Sequence, residues 1–157
     1  MNEISSQRPL RQKTIGILGG MSNQATGEYY RMLNEQLNQH LGGWDNGEII
    51  IASVNFGNIQ SFVREDRWDE AAAYLADKIL RLEAAGVDVI ACVSNTMHRV
   101  VEPAMMGRTT PFIHIAEAII LGCTEIMLLV GPEDSSVPIF DTTALHAEAA
   151  IEYTLKD

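Results

Sequence analysis

Thr14-Ile15-Gly16-Ile17-Leu18-Gly19-Gly20-Met21-Ser22 reads as a buried strand that runs into a glycine turn and then a helix. A short apolar run closed by glycines suits a strand covered on both faces, the environment of a parallel sheet. Ser22 stands where a helix N-cap belongs. Over Met21 to Leu41, Ala25, Tyr29, Leu33 and Leu37 then repeat at helical spacing, and Gly42-Gly43 supplies the stop.

The alternation continues outward from this unit. Glu48 to Val54, rich in Ile, is a second strand, followed by a polar segment that contains Arg64. Trp68 to Ala85 is the clearest helix: Trp68, Ala71, Ala72, Leu75, Ile79 and Leu82 share a face, with Asp66 as cap and Gly86 as stop. Val87 to Cys92 is a third strand, and a short helix runs from about Thr96 to Met105. Pro111 to Ile115 reads as a short fourth strand, Ile119 to Leu121 as another, and Ile126 to Val130 as a further apolar run. Pro132 to Pro138 is a loop and Thr142 to Leu155 a closing helix. Strands alternating with helices imply an α/β fold, an open parallel sheet of Rossmann-like, three-layer type.

A chain of 157 residues suits one domain with a sizeable core. The expected division is a loose lead-in over 1–13 and a single α/β domain over 14–157. The net charge is −10, 21 acidic against 11 basic residues, and no basic stripe offsets it; a nucleic-acid partner is therefore excluded. No apolar run reaches the ~18 residues of a membrane span, because Glu117 interrupts the longest. The polar stretch Met1 to Lys13 has no hydrophobic signal core, which argues for a cytoplasmic protein. Two cysteines, Cys92 and Cys123, make neither a disulfide framework nor a metal spacing.

Strand carboxyl ends are where open α/β sheets hold ligands, and several polar groups fall there. Gly16-Ile17-Leu18-Gly19-Gly20-Met21-Ser22 serves either as a tight turn or as an anion cradle of backbone N–H groups. It lacks the spacing of a dinucleotide fingerprint and the lysine of a P-loop. Ser94-Asn95-Thr96 is either an N-cap or a polar cup for a carboxylate at a helix start. His98 lies one turn on, placed to orient a neighbour or to bridge to backbone, and His114 is equally open. Cys92 reads as core. Cys123, with Thr124 beside it, reads as a buried small hydrophobe or as a reactive thiol at a strand end. Asp141 suits a helix cap, and His146 has no evident role.

Four stretches in order, Lys13 to Met21, Ser94-Asn95-Thr96-Met97-His98, Leu121 to Ile126 and Pro138 to Ala147, resemble the aspartate/glutamate racemase family of cofactor-independent amino-acid racemases. The resemblance runs from about Lys13 to Leu155 and is greatest to the broad-specificity branch. It implies two α/β domains facing across a cleft, and a two-base proton exchange at the α-carbon of aspartate, glutamate or another amino acid. Neither pyridoxal phosphate nor a metal is implied. Ser94 and Cys123 would then be the acid/base pair. Met21, Asn95, Thr96 and Thr124 would line the substrate's backbone groups, with His98 in support.

Two departures accompany this. Ser94 stands where most of the family carries cysteine, and a hydroxyl is a poorer base than a thiolate. Only eight residues separate His114 from Cys123, whereas one strand–helix–strand unit needs roughly 30 or more. The expected consequence is an internal deletion: one complete domain (14–115 as core), a remnant strand of the other domain within 116–130, and a closing helix within 138–155. Exposed apolar surface left by the deletion would favour a homodimer. The competing expectation is a non-catalytic module or relic that binds a small carboxylate.

Overall fold

The computed structural model describes residues 12–114 and 142–155. Expectations for Ile119–Leu121, Ile126–Val130, Pro132–Pro138, Asp141, Cys123 and Thr124 lie outside the described residues. The elements follow in the order β1 (Ile15–Gly19), α1 (Asn23–Leu41), β2 (Ile49–Ser53), α2 (Phe56–Arg64), α3 (Trp68–Ala84), β3 (Val89–Cys92), α4 (His98–Met105), β4 (Phe112–Ile113) and α5 (Thr142–Leu155). All pairings are parallel, in the order β2-β1-β3-β4.

This order dictates the layers. The chain moves one way along the sheet from β1 to β2 and the other way from β2 to β3. Right-handed crossovers in opposite directions must use opposite faces. α1 therefore covers one face, joined by α5, where Ala25, Tyr29, Leu33 and Leu37 pack with Ile15, Ile17, Val89, Ala147, Ala150 and Ile151. α2, α3 and α4 cover the other, where Leu75, Ile79, Leu82 and Val101 pack with Leu18, Ile90 and Cys92. The fold is a three-layer α/β domain, as the alternation of elements implies.

Local chemistry sets the boundaries. Ser22 caps α1, its hydroxyl accepting from the Ala25 N–H at 3.4 Å, and Gly42 ends the helix at φ 77°. α2 was not anticipated. Asn55 caps it by accepting from the Gly57 N–H at 2.9 Å, and Ile59 and Val63, one helical turn apart, turn inward. Asp66 does not cap α3. It adopts φ 55°, a left-handed conformation that Asp tolerates, and its carboxylate accepts from the Trp68 indole N–H. Arg67 occupies the cap position without a side-chain bond.

Two close approaches fix the end of β1. A Cβ on Gly19 would lie 2.6 Å from Thr26 Cγ2, and one on Gly20 would run into the Val54 backbone. Gly20 also sits at φ 90°, which L side chains avoid. Gly20→Ala should therefore cost at least ~1 kcal/mol, read as a lower urea midpoint. An unchanged midpoint would show that the turn accommodates a side chain.

Candidate functional site

The sheet order reverses at β1, so the carboxyl ends of β1 and β3 flank a crevice, the switch point at which doubly wound sheets take ligands. The two polar turns anticipated from sequence both lie there. Gly19-Gly20-Met21-Ser22 leaves β1 and Ser94-Asn95-Thr96 leaves β3. Lateral hydrogen bonds carry both past the strand ends: the Val93 N–H donates to the Leu18 carbonyl at 3.0 Å, and the Val54 N–H to the Gly19 carbonyl at 2.9 Å.

The first turn is internally bound. The Gly20 N–H donates to Thr26 Oγ1 at 2.7 Å, and that hydroxyl donates to the Ser22 carbonyl at 2.8 Å. Met21 is 8% exposed and packs into the α3–α4 core, so its side chain belongs to that layer. The second turn is open. Asn95 and Thr96 are exposed and Ser94 is half-buried. α4 begins at His98, later than expected, with Met97 at the cap position and no side-chain cap bond. Ser94 Oγ accepts a long hydrogen bond from the Met97 N–H, at 3.4 Å. Among the described residues, the Asn95 and Thr96 N–H groups make no hydrogen bond. Free N–H groups at the positive end of a helix are suited to a carboxylate.

No described imidazole or carboxylate hydrogen-bonds to the Ser94 hydroxyl. His98 serves the backbone instead: its Nδ1 lies 2.7 Å from the Ser94 carbonyl, and since a carbonyl only accepts, Nδ1 carries the proton. Cys92 is fully buried, and desolvation pushes its thiol up to about 12. It is a core residue, not a nucleophile.

Beneath Ser94 the structure assembles an imidazole seam that the sequence did not disclose. The His98 ring centroid lies 4.5 Å from that of His114 and 6.3 Å from that of His146. His146 Nε2 donates to the Ile113 carbonyl at 2.9 Å, leaving Nδ1 to accept from the Tyr29 hydroxyl at 3.0 Å. His146 thus ties α5 to both β4 and α1. Tyr29 and His146 stand 117 positions apart, and each presents only a position on a buried helix face; no local pattern joins them. His114 faces Glu102 at 3.5 Å. Among the described residues, no three His, Cys, Asp or Glu side chains form a set able to hold a metal ion. No described helix is long and apolar enough to cross a membrane.

A family model for Asp/Glu/hydantoin racemases matches residues 18–118. The chain belongs to this family. Solved structures share the racemase-family architecture. A candidate Asp/Glu racemase from Yersinia pestis, 28% identical, aligns with a TM-score of 0.83 over 92% of this chain and 100% of that one. An aspartate racemase homologue from Pyrococcus horikoshii, 20% identical, aligns at 0.80 over 92% and 100%. The aspartate racemase of Picrophilus torridus, 18% identical, aligns at 0.57 over 92% of each chain. The last two establish a common fold.

Burial holds both inner imidazoles of this racemase-family domain neutral. Desolvation lowers His98 below its ordinary value and lowers His146 to about 4. In the unfolded chain both take a proton near 6.5. The stability they contribute is complete above that value and is lost as the pH falls toward about 4. His146→Phe keeps an aromatic ring but removes the hydrogen bonds to the Tyr29 hydroxyl and the Ile113 carbonyl. It should cost ~1–3 kcal/mol at neutral pH and flatten the acid loss over that range. Equal stability of variant and parent at pH 7 would contradict the hydrogen-bonded latch.

Proposed function

We propose that this chain is an amino-acid racemase acting at the α-carbon of aspartate, glutamate or another amino acid by cofactor-independent, two-base proton transfer. The supporting observation is the position of the Ser94-Asn95-Thr96 turn. In a chain of this family, it presents open backbone N–H groups and a half-buried hydroxyl at the switch point. Asn95 and Thr96 receive the substrate α-carboxylate, aided by the α4 dipole. Met21 contributes through its backbone, and Thr124 is the further residue assigned to the substrate's backbone groups. Ser94 and Cys123 remove and return the proton on opposite faces of the carbon, and His98 fixes the Ser94 carbonyl.

Proton exchange depends on holding both groups within hydrogen-bond reach of one carbon. Residues 14–115 supply one wall of the cleft, and the short interval to Cys123 supplies little of the other. Turnover is therefore slow, and a homodimer covers the face this leaves. A cytoplasmic location, where the Cys123 thiol stays reduced, completes the proposal. The same eight-residue interval favours a second reading, a non-catalytic module that binds a small carboxylate.

Deuterium uptake at Cα of aspartate, glutamate and alanine in heavy water separates the two readings. Slow incorporation abolished by Cys123→Ala is expected of the racemase; no incorporation into any of the three would leave the binding module. Ser94→Cys restores a thiol to the position and should raise the exchange rate by roughly tenfold or more, since a thiolate forms far more readily at neutral pH. An unchanged rate would remove Ser94 from the reacting carbon.

A further inference from the structure

Among the described residues, Arg64 and Arg99 are the arginines that close on no carboxylate; Arg31, Arg67, Arg81 and Arg108 all do. Arg64 has an ordinary structural account. It lies in the last turn of α2, where the helix dipole favours a cation. Arg99 has none. It lies in the first turn of α4, which holds no acidic residue, and a cation at that end opposes the dipole.

Arg99 is nevertheless held in place. Its guanidinium lies 4.2 Å from the Trp68 ring centroid, and the Trp68 indole is pinned by the Asp66 carboxylate. A guanidinium lying on an aromatic face keeps its N–H edge directed outward, the geometry that forks onto a carboxylate. The platform stands at the ligand end of the sheet. The Tyr74 hydroxyl accepts from the Asn55 N–H, just past β2, at 3.2 Å. Trp68, six residues earlier on α3, rises ~9 Å further toward the carboxyl side. α3 packs on β1, β2 and α4, which puts the Trp68–Arg99 pair in the α3–α4 layer, toward the carboxyl end of the sheet.

We infer that Arg99, laid on Trp68, is the specificity-determining residue that receives a substrate's side-chain carboxylate at the rim of this crevice; this rests on the racemase reading above. Backbone donors of Asn95 and Thr96 hold one carboxylate and the Arg99 fork a second, so acidic amino acids are preferred over neutral ones. In a chain of net charge −10, such a residue also offsets the repulsion that a net-anionic dicarboxylate amino acid meets.

Calorimetric titration of the full chain with L-aspartate and with L-alanine tests this. The parent should bind aspartate roughly tenfold or more tighter than alanine, the margin of a single charge-assisted fork. Arg99→Gln should erase that margin while leaving alanine binding unchanged, and Arg99→Lys should restore part of it. A margin that survives Arg99→Gln, or an equal loss for both amino acids, overturns the assignment. Equal affinity of the parent for both amino acids overturns the assignment and leaves the racemase reading standing. Failure of the parent to bind either removes both.

Discussion

The seam between β1 and its two neighbours carries the rest of the structure. β1 is hydrogen-bonded on both edges. Past its last paired residues the Leu18 carbonyl takes the Val93 N–H and the Gly19 carbonyl takes the Val54 N–H. Both neighbouring chains are thereby drawn to the end of β1. Gly19 and Gly20 carry no side chain, so Thr26 and the Val54 backbone close in where a Cβ would stand. The floor of the crevice is consequently made of main chain, and the sheet order makes that floor a ligand position.

Electrostatics follow from this construction. Desolvation forbids charge under the floor: Cys92 stays a thiol, and His98 and His146 stay neutral. His98 and His146 therefore organise without titrating at neutral pH, His98 through the Ser94 carbonyl and His146 through Ile113 and Tyr29. Whatever attracts an anionic amino acid must come from the open N–H groups of the Ser94 turn and from cations at the rim. Whatever moves a proton must come from side chains that face the crevice. Ser94 is the described candidate, and no described base assists it.

The layers and helix faces were legible in the sequence because burial enforces periodicity. Ala25, Tyr29, Leu33 and Leu37 all reach the core, as do Leu75, Ile79 and Leu82. Both polar turns were found because strand-to-helix junctions carry their own residue chemistry. α2 escaped because it is only nine residues long, carries Gly57 and Asn58 in its first turn, and buries only Ile59 fully. The Asp66 side chain suits a cap, but a left-handed backbone turns it to the Trp68 indole. The three imidazoles, and Arg99 on Trp68, are products of packing between distant elements, which no local spacing announces.

Amide-resolved NMR during titration with L-aspartate tests the switch-point site most directly. The Asn95 and Thr96 N–H resonances, with those of Gly20 to Ser22, should shift together and saturate, while α1 and α5 amides remote from the crevice stay still. Shifts confined to any other face, with the Ser94 turn unmoved at saturation, would contradict a ligand site at the β1–β3 junction.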